Sequence, residues 1–466
     1  MLQIIKSSRA TLLIWAIIIG LFFIGKLTFL GPLSPEQQYT LLVLVIAIYL
    51  WTISTMPQGA SSILVLALII GLGVVDEPDQ AFQGFLTTGL YFIVLLSLIS
   101  QVLVIIGFDQ MVARAFQKFS RGKVRRIVIS LPVLMVLLPI ILPSAVARYK
   151  ILEPLIKRMN DLSGFSKQSV FNKFGLFVIS FLNQKGTFIV FTGGGFAVIA
   201  YQLMVEYDIA QIQWLEWITL MAPPLFLITL ITSLLVWFYF KWRSGEEGSE
   251  VVEQEAGHLK EVREEQHPKR WYVIVAFSFM VVAWIVTDPT VMPIILPPMF
   301  MLAFLAIPTI GLVDNKLIRS FDWETFLLLG TSFSLGFIMA DNGTAEVVAT
   351  GLIQLVPNGA SGWIMVVYII LLMGIMRWMF TNSTSAIVVI FPIMMSYASL
   401  VDISPVALAL LIMTVIGGTI LIPIHAPTTY YASQAGVYTK GEQFVVGVIS
   451  SSVASGVALL AVFLYW

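Results

Sequence analysis

Long apolar runs alternate with short polar segments along almost the whole chain. A helix of about 20 apolar residues crosses the roughly 30 Å hydrocarbon core of a bilayer, and its backbone groups are satisfied internally. The runs therefore predict an all-α polytopic membrane protein with eleven spanning helices. These lie near residues 10–30, 38–56, 60–75, 88–107, 174–204, 217–240, 271–287, 293–312, 323–340, 404–432 and 442–465.

Two further apolar stretches, 127–160 and 363–400, are interrupted near their middles by Pro, Ser, Asn or Thr. Each is too long for one simple span and has no polar loop that could separate two spans. Non-helical backbone at membrane depth is tolerated only where it is buried in protein or lines a water-filled cavity. We therefore predict that both stretches are re-entrant hairpins.

The basic residues of the polar segments predict the orientation. Lys and Arg are concentrated in 109–126, in 157–173 and at both ends of 241–270, whereas 205–216 contains neither. Because cytoplasmic loops are enriched in Lys and Arg, we place the N-terminus inside and the C-terminus outside. Full crossings by both broken stretches would give the same charge distribution, so only their interrupted middles favour hairpins. The spacing within 109–126 also suits a helix on the membrane surface.

Composition narrows the class of protein further. The chain is 58% hydrophobic and 11% charged, against about 25% charged residues in soluble domains. Its formal net charge is zero, which argues against a nucleic-acid partner, and it has no cysteine, which excludes disulfides and thiolate chemistry. The N-terminal run Ala10–Leu30 is longer than the core of a signal peptide, so we expect it to be retained.

The charged segment 241–270 separates two halves, and we interpret it as a cytoplasmic linker between repeats. In the first half, Ser144 follows Leu142-Pro143 and precedes Pro154; in the second, Asn382-Ser383-Thr384 precedes Pro392 at a matching interval. We therefore predict a first repeat at 1–240, including N-terminal scaffold helices, and a second at 271–466.

A second pair of breaks supports the repeat. Lys185-Gly186-Thr187 leads into three glycines at 193–195, and Gly417-Gly418-Thr419 leads into 423–429, which contains two prolines. Gly and Pro interrupt helices and free backbone groups that can face a ligand. The predicted span count puts the two hairpins on opposite membrane sides, so the repeats are inverted, with their breaks meeting near mid-bilayer. This arrangement is typical of secondary transporters.

At these residues the sequence resembles the divalent-anion/sodium symporter family, which carries dicarboxylates, citrate and sulfate. The resemblance covers most of the chain and is carried by segments 50–73, 81–108, 321–336, 426–429 and 436–438. It implies an elevator-type homodimer in the plasma (inner) membrane, with a small anionic substrate and Na⁺ as a possible coupling ion.

The family has Ser-Asn-Thr at each hairpin tip, where cations and substrate bind. Here the second tip is Asn382-Ser383-Thr384, and the first is Ser144-Ala145-Val146, which keeps one hydroxyl. The predicted substrate-binding residues are Ser144, Arg148, Asn382, Ser383, Thr384, Thr428 and Thr429. The predicted cation-binding residues are Ser144, Gly186, Thr187, Asn382, Gly417 and Gly418.

Arg148 is the main departure from the family pattern. A charge in the membrane interior costs about 2.5 kcal/mol or more, so it pairs or lines an aqueous cavity. Its guanidinium could occupy the place of a sodium ion, contact the anion, or form a structural pair with Glu153. The same question applies to Lys185, whereas Arg377 suits an anchor for the second hairpin. His425 could couple transport to protons or be a structural group.

The first hypothesis is therefore a secondary carrier of a small di- or tricarboxylate or a sulfate-like anion. Coupling to sodium, to protons or to counter-exchange stays open, and the weakened first tip favours exchange or fewer sodium ions. A metalloid-anion carrier or a sodium/proton antiporter is the alternative, although the tips lack the carboxylates of an antiporter. A membrane-embedded enzyme lacks support, since metalloprotease, serine-hydrolase and P-loop motifs are missing.

Overall fold

The computed structural model describes residues 33–120, 123–244, 267–353, 361–398 and 403–466. The predicted first span, 10–30, and most of the linker 241–270 lie outside these residues. Within them every regular element is helical, which confirms the all-α prediction. The α-helices are α1 (Pro35–Thr52), α2 (Gln58–Gly71), α3 (Thr88–Ile105), α4 (Phe108–Ser120), α5 (Val124–Leu137), α6 (Ala145–Leu162), α7 (Val170–Phe177), α8 (Asn183–Gly186), α9 (Gly195–Glu206), α10 (Trp214–Ser244), α11 (Arg270–Val286), α12 (Leu296–Ala306), α13 (Asn315–Arg319), α14 (Trp323–Asp341), α15 (Thr344–Ile353), α16 (Gly362–Arg377), α17 (Ser383–Met395), α18 (Pro405–Gly418), α19 (Pro427–Gln434) and α20 (Lys440–Leu464).

Several of these helices have the length and composition of membrane spans. Among the described residues, α3, α10, α14 and α20 are each long and apolar enough to cross a bilayer alone. Seven shorter apolar helices accompany them, namely α2, α9, α11, α12, α16, α17 and α18. The number of full crossings and the inverted relation of the halves stay predictions.

The helices end where the sequence predicts breaks. The stretch 127–160 divides into α5, a 3₁₀ turn at Leu138–Ile140 and α6, and the stretch 363–400 divides into α16 and α17. In both, a proline lies inside the second helix without ending it, Pro154 in α6 and Pro392 in α17. The first break also contains Pro139 in its 3₁₀ turn and Pro143 just before Ser144, whereas residues 378–382 of the second break contain no proline.

The predicted span 174–204 is more irregular than its apolar sequence indicates. It begins as α7, continues as a π-helix at Val178–Leu182, and passes through α8 and a 3₁₀ turn at Thr187–Ile189 before α9 begins at Gly195. A Cβ added to Gly186 would lie 2.0 Å from the Met135 carbonyl oxygen. A residue without a side chain is therefore required there, because the backbones of α5 and α8 are in direct contact.

The described residues form two compact units, and each draws on both halves of the sequence. The first comprises the described part of Met1–Leu90 together with that of Asp322–Ile412. In this unit α14 packs against α2, against α17 and against a 3₁₀ helix at Pro78–Leu86. A Cβ on Gly84 would lie 2.2 Å from the Gly330 carbonyl oxygen, and the Gly84 N–H donates to Ser334 Oγ at 3.0 Å.

The second unit comprises the described parts of Tyr91–Phe321 and Met413–Trp466. Here α10 packs along α20 and contacts the broken helix α7–α8. The Trp217 indole donates to the Phe188 carbonyl at 2.9 Å, and Lys173 forms a buried ion pair with Glu442 at 2.6 Å. The predicted division into a repeat at 1–240 and a repeat at 271–466 does not coincide with these two units and stays a prediction.

Candidate functional site

The first hairpin tip lies in the second unit and ends in a capped helix. Ser144 has extended backbone, and its Oγ accepts a hydrogen bond from the Ala147 N–H at 3.2 Å as the N-cap of α6. An N-cap of this kind satisfies one of the unpaired N–H groups at a helix start. Ser144 therefore has a structural role at the tip, as the cap of α6.

Arg148, one turn into α6, is completely buried. Its Nε donates to Asn183 Oδ1 at 2.6 Å, its Nη2 donates to the Asn183 carbonyl at 3.3 Å, and its Nη1 donates to the Leu142 carbonyl. These contacts join the tip to α8 through a single guanidinium. Within the described residues Arg148 has no carboxylate partner, and Glu153 instead pairs with Lys157 at 2.8 Å. The pair with Glu153 that was one of the alternatives for Arg148 is therefore not formed.

Asn183 completes this connection, and sequence reasoning did not identify it. Its Nδ2 donates to the Ala145 carbonyl at 2.8 Å and to the Ile179 carbonyl at 2.9 Å. The side chain thus serves Arg148 with its oxygen and two backbone carbonyls with its nitrogen. An Asn that directly follows Phe181-Leu182, two positions before Lys185, is the signal that could have found it.

The break after α8 lies against the same tip. Thr187 Oγ1 donates to the Gln184 carbonyl at 2.6 Å. A Cβ on Gly194 would lie 3.1 Å from Thr187 Cγ2 and 3.4 Å from the Pro143 carbonyl oxygen. The structure therefore brings Ser144, Gly186 and Thr187 into one part of the second unit.

Lys185 is also buried, with 1% of its surface exposed. Its Nζ donates to the Ser450 carbonyl at 2.6 Å and to Ser450 Oγ at 2.5 Å. A Cβ on Gly418 would lie 4.0 Å from Lys185 Cε, so the lysine stem passes the break at the end of α18. Ser450 lies far along the chain in α20, and no local pattern points to this pairing.

The break at 419–426 holds His425, and the first turn of α19 after it holds Thr428 and Thr429. Thr428 Oγ1 donates at 2.9 Å to the carbonyl of Ser180, which belongs to the π-helix. Thr429 Oγ1 donates to the Ala426 carbonyl at 2.8 Å. His425 is buried, and its Nδ1 accepts from the Leu421 N–H at 3.3 Å. These hydroxyls fix the turn through main-chain carbonyls, and proton coupling by His425 stays a prediction.

The second tip lies in the first unit and is built in a similar way. Asn382 is the N-cap of α17, and its Oδ1 accepts from the Thr384 N–H at 2.9 Å and from Thr384 Oγ1 at 2.5 Å. The Ser383 hydroxyl accepts from Arg377 Nη2 at 2.9 Å, and Arg377 Nη1 donates to the Phe380 carbonyl at 2.5 Å. Arg377 is therefore an anchor for this tip, as predicted, and it is completely buried.

The arrangement defines a class of protein. An all-helical, apolar chain with two capped, polar helix breaks, each fastened by a buried arginine, has the features of a polytopic membrane transporter. Within the described residues, no group of His, Asp or Glu side chains could hold a metal ion.

Comparison with known proteins gives the family. The chain matches the sodium:sulfate symporter transmembrane region over residues 7–466, and it belongs to that family. The recognition made from sequence is confirmed. The protein is a multi-pass membrane transporter for an anionic substrate, and the enzyme hypothesis is set aside.

One relative adds a second comparison. It is a protein of Cupriavidus necator described as "Membrane protein", 21% identical over an alignment of 457 residues that covers 93% of this chain and 88% of the relative. This likeness covers nearly the full length of both chains. It agrees with the membrane assignment and carries no information on the substrate.

Proposed function

We propose that the protein carries a small di- or tricarboxylate or a sulfate-like anion by alternating access. The observation that supports this substrate class is the charge at the two tips. Neither 142–148 nor 380–385 contains a carboxylate, and each tip holds a buried guanidinium beside a capped helix N-terminus. A helix N-terminus favours carboxylate and sulfate oxygens, and the positive charge of a buried arginine behind it adds to this attraction without direct contact.

The mechanism and assembly that we propose follow from the family. An elevator movement in a homodimer would carry the anion between the two faces of the plasma (inner) membrane. The basic segments 109–126 and 157–173 support a cytoplasmic N-terminus and an external C-terminus. Among the coupling modes, we favour anion exchange or a reduced sodium requirement over full sodium coupling.

A ligand screen tests the substrate class. We expect one member of a panel of succinate, citrate, sulfate and phosphate to raise the melting temperature of the purified protein, because a ligand that binds only the folded state stabilises it. The same anion should then be taken up by proteoliposomes. If no anion of the panel stabilises the protein or enters liposomes, the substrate class is wrong.

A pair of variants at the second tip makes the test specific. Asn382→Ala removes the cap of α17, and we expect about a tenfold weaker apparent anion affinity, equivalent to about 1.4 kcal/mol. Thr381→Val is the matched control, because the Thr381 hydroxyl contacts the Trp51 carbonyl at 3.4 Å and is not in the predicted set. Equal affinities of the two variants would contradict the assignment of Asn382.

A further inference from the structure

We propose that Arg148 and Arg377 act as built-in cations at the two hairpin tips, in place of coupling sodium ions. The proposal rests on the carrier function above and concerns its ion requirement. The family is one of sodium symporters, and the resemblance implies that sodium would bind oxygens of the tips. The oxygen atoms at each tip that remain unoccupied therefore decide whether an ion fits.

At the first tip the oxygens that could hold a cation are already engaged. The Leu142 carbonyl and both oxygens of Asn183 accept hydrogen bonds from the Arg148 guanidinium. Unwound carbonyls and side-chain oxygens of this kind hold Na⁺ at the broken helices of transporters. A sodium ion does not fit there, because the guanidinium supplies the positive charge and takes the ligands.

The second tip repeats the arrangement with different residues. Arg377 precedes its tip, whereas Arg148 follows its own, yet each donates Nη1 to a carbonyl of the tip loop. Arg377 Nη2 also takes the hydroxyl of Ser383, one of the predicted substrate-binding residues. Two arginines from non-equivalent sequence positions thus each bring a buried positive charge to the loop of their own tip.

Burial decides between a cation role and direct contact with the anion. Both arginines have 0% exposure. Within the described residues, the bonds of Arg148 go to neutral oxygens of the tip and of α8, and its guanidinium has no surface open to an anion. Its positive charge is therefore fixed behind the tip. It supplies there the charge that a bound sodium ion would supply.

The test is an ion titration of the purified full-length protein without any anion substrate. Thermal unfolding is followed in sodium, potassium and choline chloride at equal ionic strength. The proteins are wild type, Arg148→Ala, Arg148→Lys, Arg148→Met and Lys150→Ala, a control for loss of an exposed positive charge on the same helix.

We expect Arg148→Ala to gain a sodium-selective rise in melting temperature of about 2 °C or more, because sodium can now reach the freed oxygens. Arg148→Lys and Lys150→Ala should show no such gain over wild type. The same comparison applies to Arg377→Ala. A folded Arg148→Ala with no more sodium selectivity than wild type overturns the proposal.

If Arg148→Ala does not fold, the other two variants decide. A built-in cation requires that Arg148→Lys folds and that the uncharged Arg148→Met does not, so equal folding of the two overturns the proposal. Wild-type anion uptake should be unchanged when choline replaces sodium. Because the titration contains no anion substrate, its failure leaves the carrier function standing, and failure to transport any anion leaves the ion result intact.

Discussion

The buried ion pair between Lys173 and Glu442 gives the most quantitative prediction. The Nζ–Oε1 distance is 2.6 Å, and the exposed fractions of the two side chains are 9% and 7%. Glu442 also accepts from the Thr439 N–H at 2.8 Å, so its carboxylate has a second donor. The pair joins α7 to the start of α20 across most of the sequence of the second unit. We expect Lys173→Met to destabilise the protein by leaving this carboxylate buried without its cation.

The magnitude follows from distance and burial. At the observed separation and an effective dielectric constant of about 20, the Coulomb attraction is about 6 kcal/mol. Desolvation of both groups offsets much of this, and breaking one partner of a buried pair costs about 3–5 kcal/mol. For a chain of this size, we expect the melting temperature to fall by about 5 °C. Replacing both residues, in Lys173→Met with Glu442→Gln, should recover most of the loss.

A surface pair of the same residue types serves as the control. Lys157 and Glu153 are 2.8 Å apart, and their side chains are 42% and 23% exposed. Exposed pairs contribute about 0–1 kcal/mol, so Lys157→Met should leave the melting temperature nearly unchanged. The assay is thermal unfolding of the wild type and the three variants in detergent at fixed salt. Equal losses for Lys173→Met and Lys157→Met, or no recovery in the double variant, would refute the reasoning.

Two further predictions concern packing. Gly84→Ala should lower the melting temperature strongly, because its Cβ would lie 2.2 Å from the Gly330 carbonyl oxygen, whereas Gly351→Ala meets nothing within 4 Å and should be neutral or slightly stabilising. Similar melting temperatures of Gly84→Ala and Gly351→Ala would contradict the close contact between Gly84 and Gly330. Asn183→Leu should lose the hydrogen bond from Arg148 Nε to the Asn183 side-chain Oδ1, worth about 1.5–3 kcal/mol, while the bond from Arg148 Nη2 to the main-chain carbonyl of residue 183 is kept. Unfolding at the wild-type temperature would contradict this network.

Periodicity and breaker residues predicted the class and most helices, because they act locally. The last residue of α18, Gly418, and the start of α6 after Ser144 follow from glycine, proline and capping residues that are visible in the sequence. The helix α15 and the 3₁₀ helix at Pro78–Leu86 were not predicted, since their sequences continue or flank apolar runs without a distinct period.

The partners of the buried charges could not be predicted in the same way. Lys185 bonds to Ser450, 265 residues away in sequence, and Lys173 bonds to Glu442, 269 residues away. Such pairings are set by how helices pack, and neither partner carries a local signal. The sequence indicated that Lys185 needed a partner, whereas Lys173 was counted with the basic segment 157–173, and the structure identified the partners of both.

Counterflow in proteoliposomes tests the central claim most directly. Liposomes containing the purified protein are loaded with one unlabelled anion, diluted into the same radiolabelled anion, and compared in sodium and in choline. We expect label to accumulate for at least one of succinate, citrate and sulfate, at similar rates with either cation. No accumulation of any of the three in either cation would contradict an anion carrier, and accumulation in sodium alone would contradict the built-in cations.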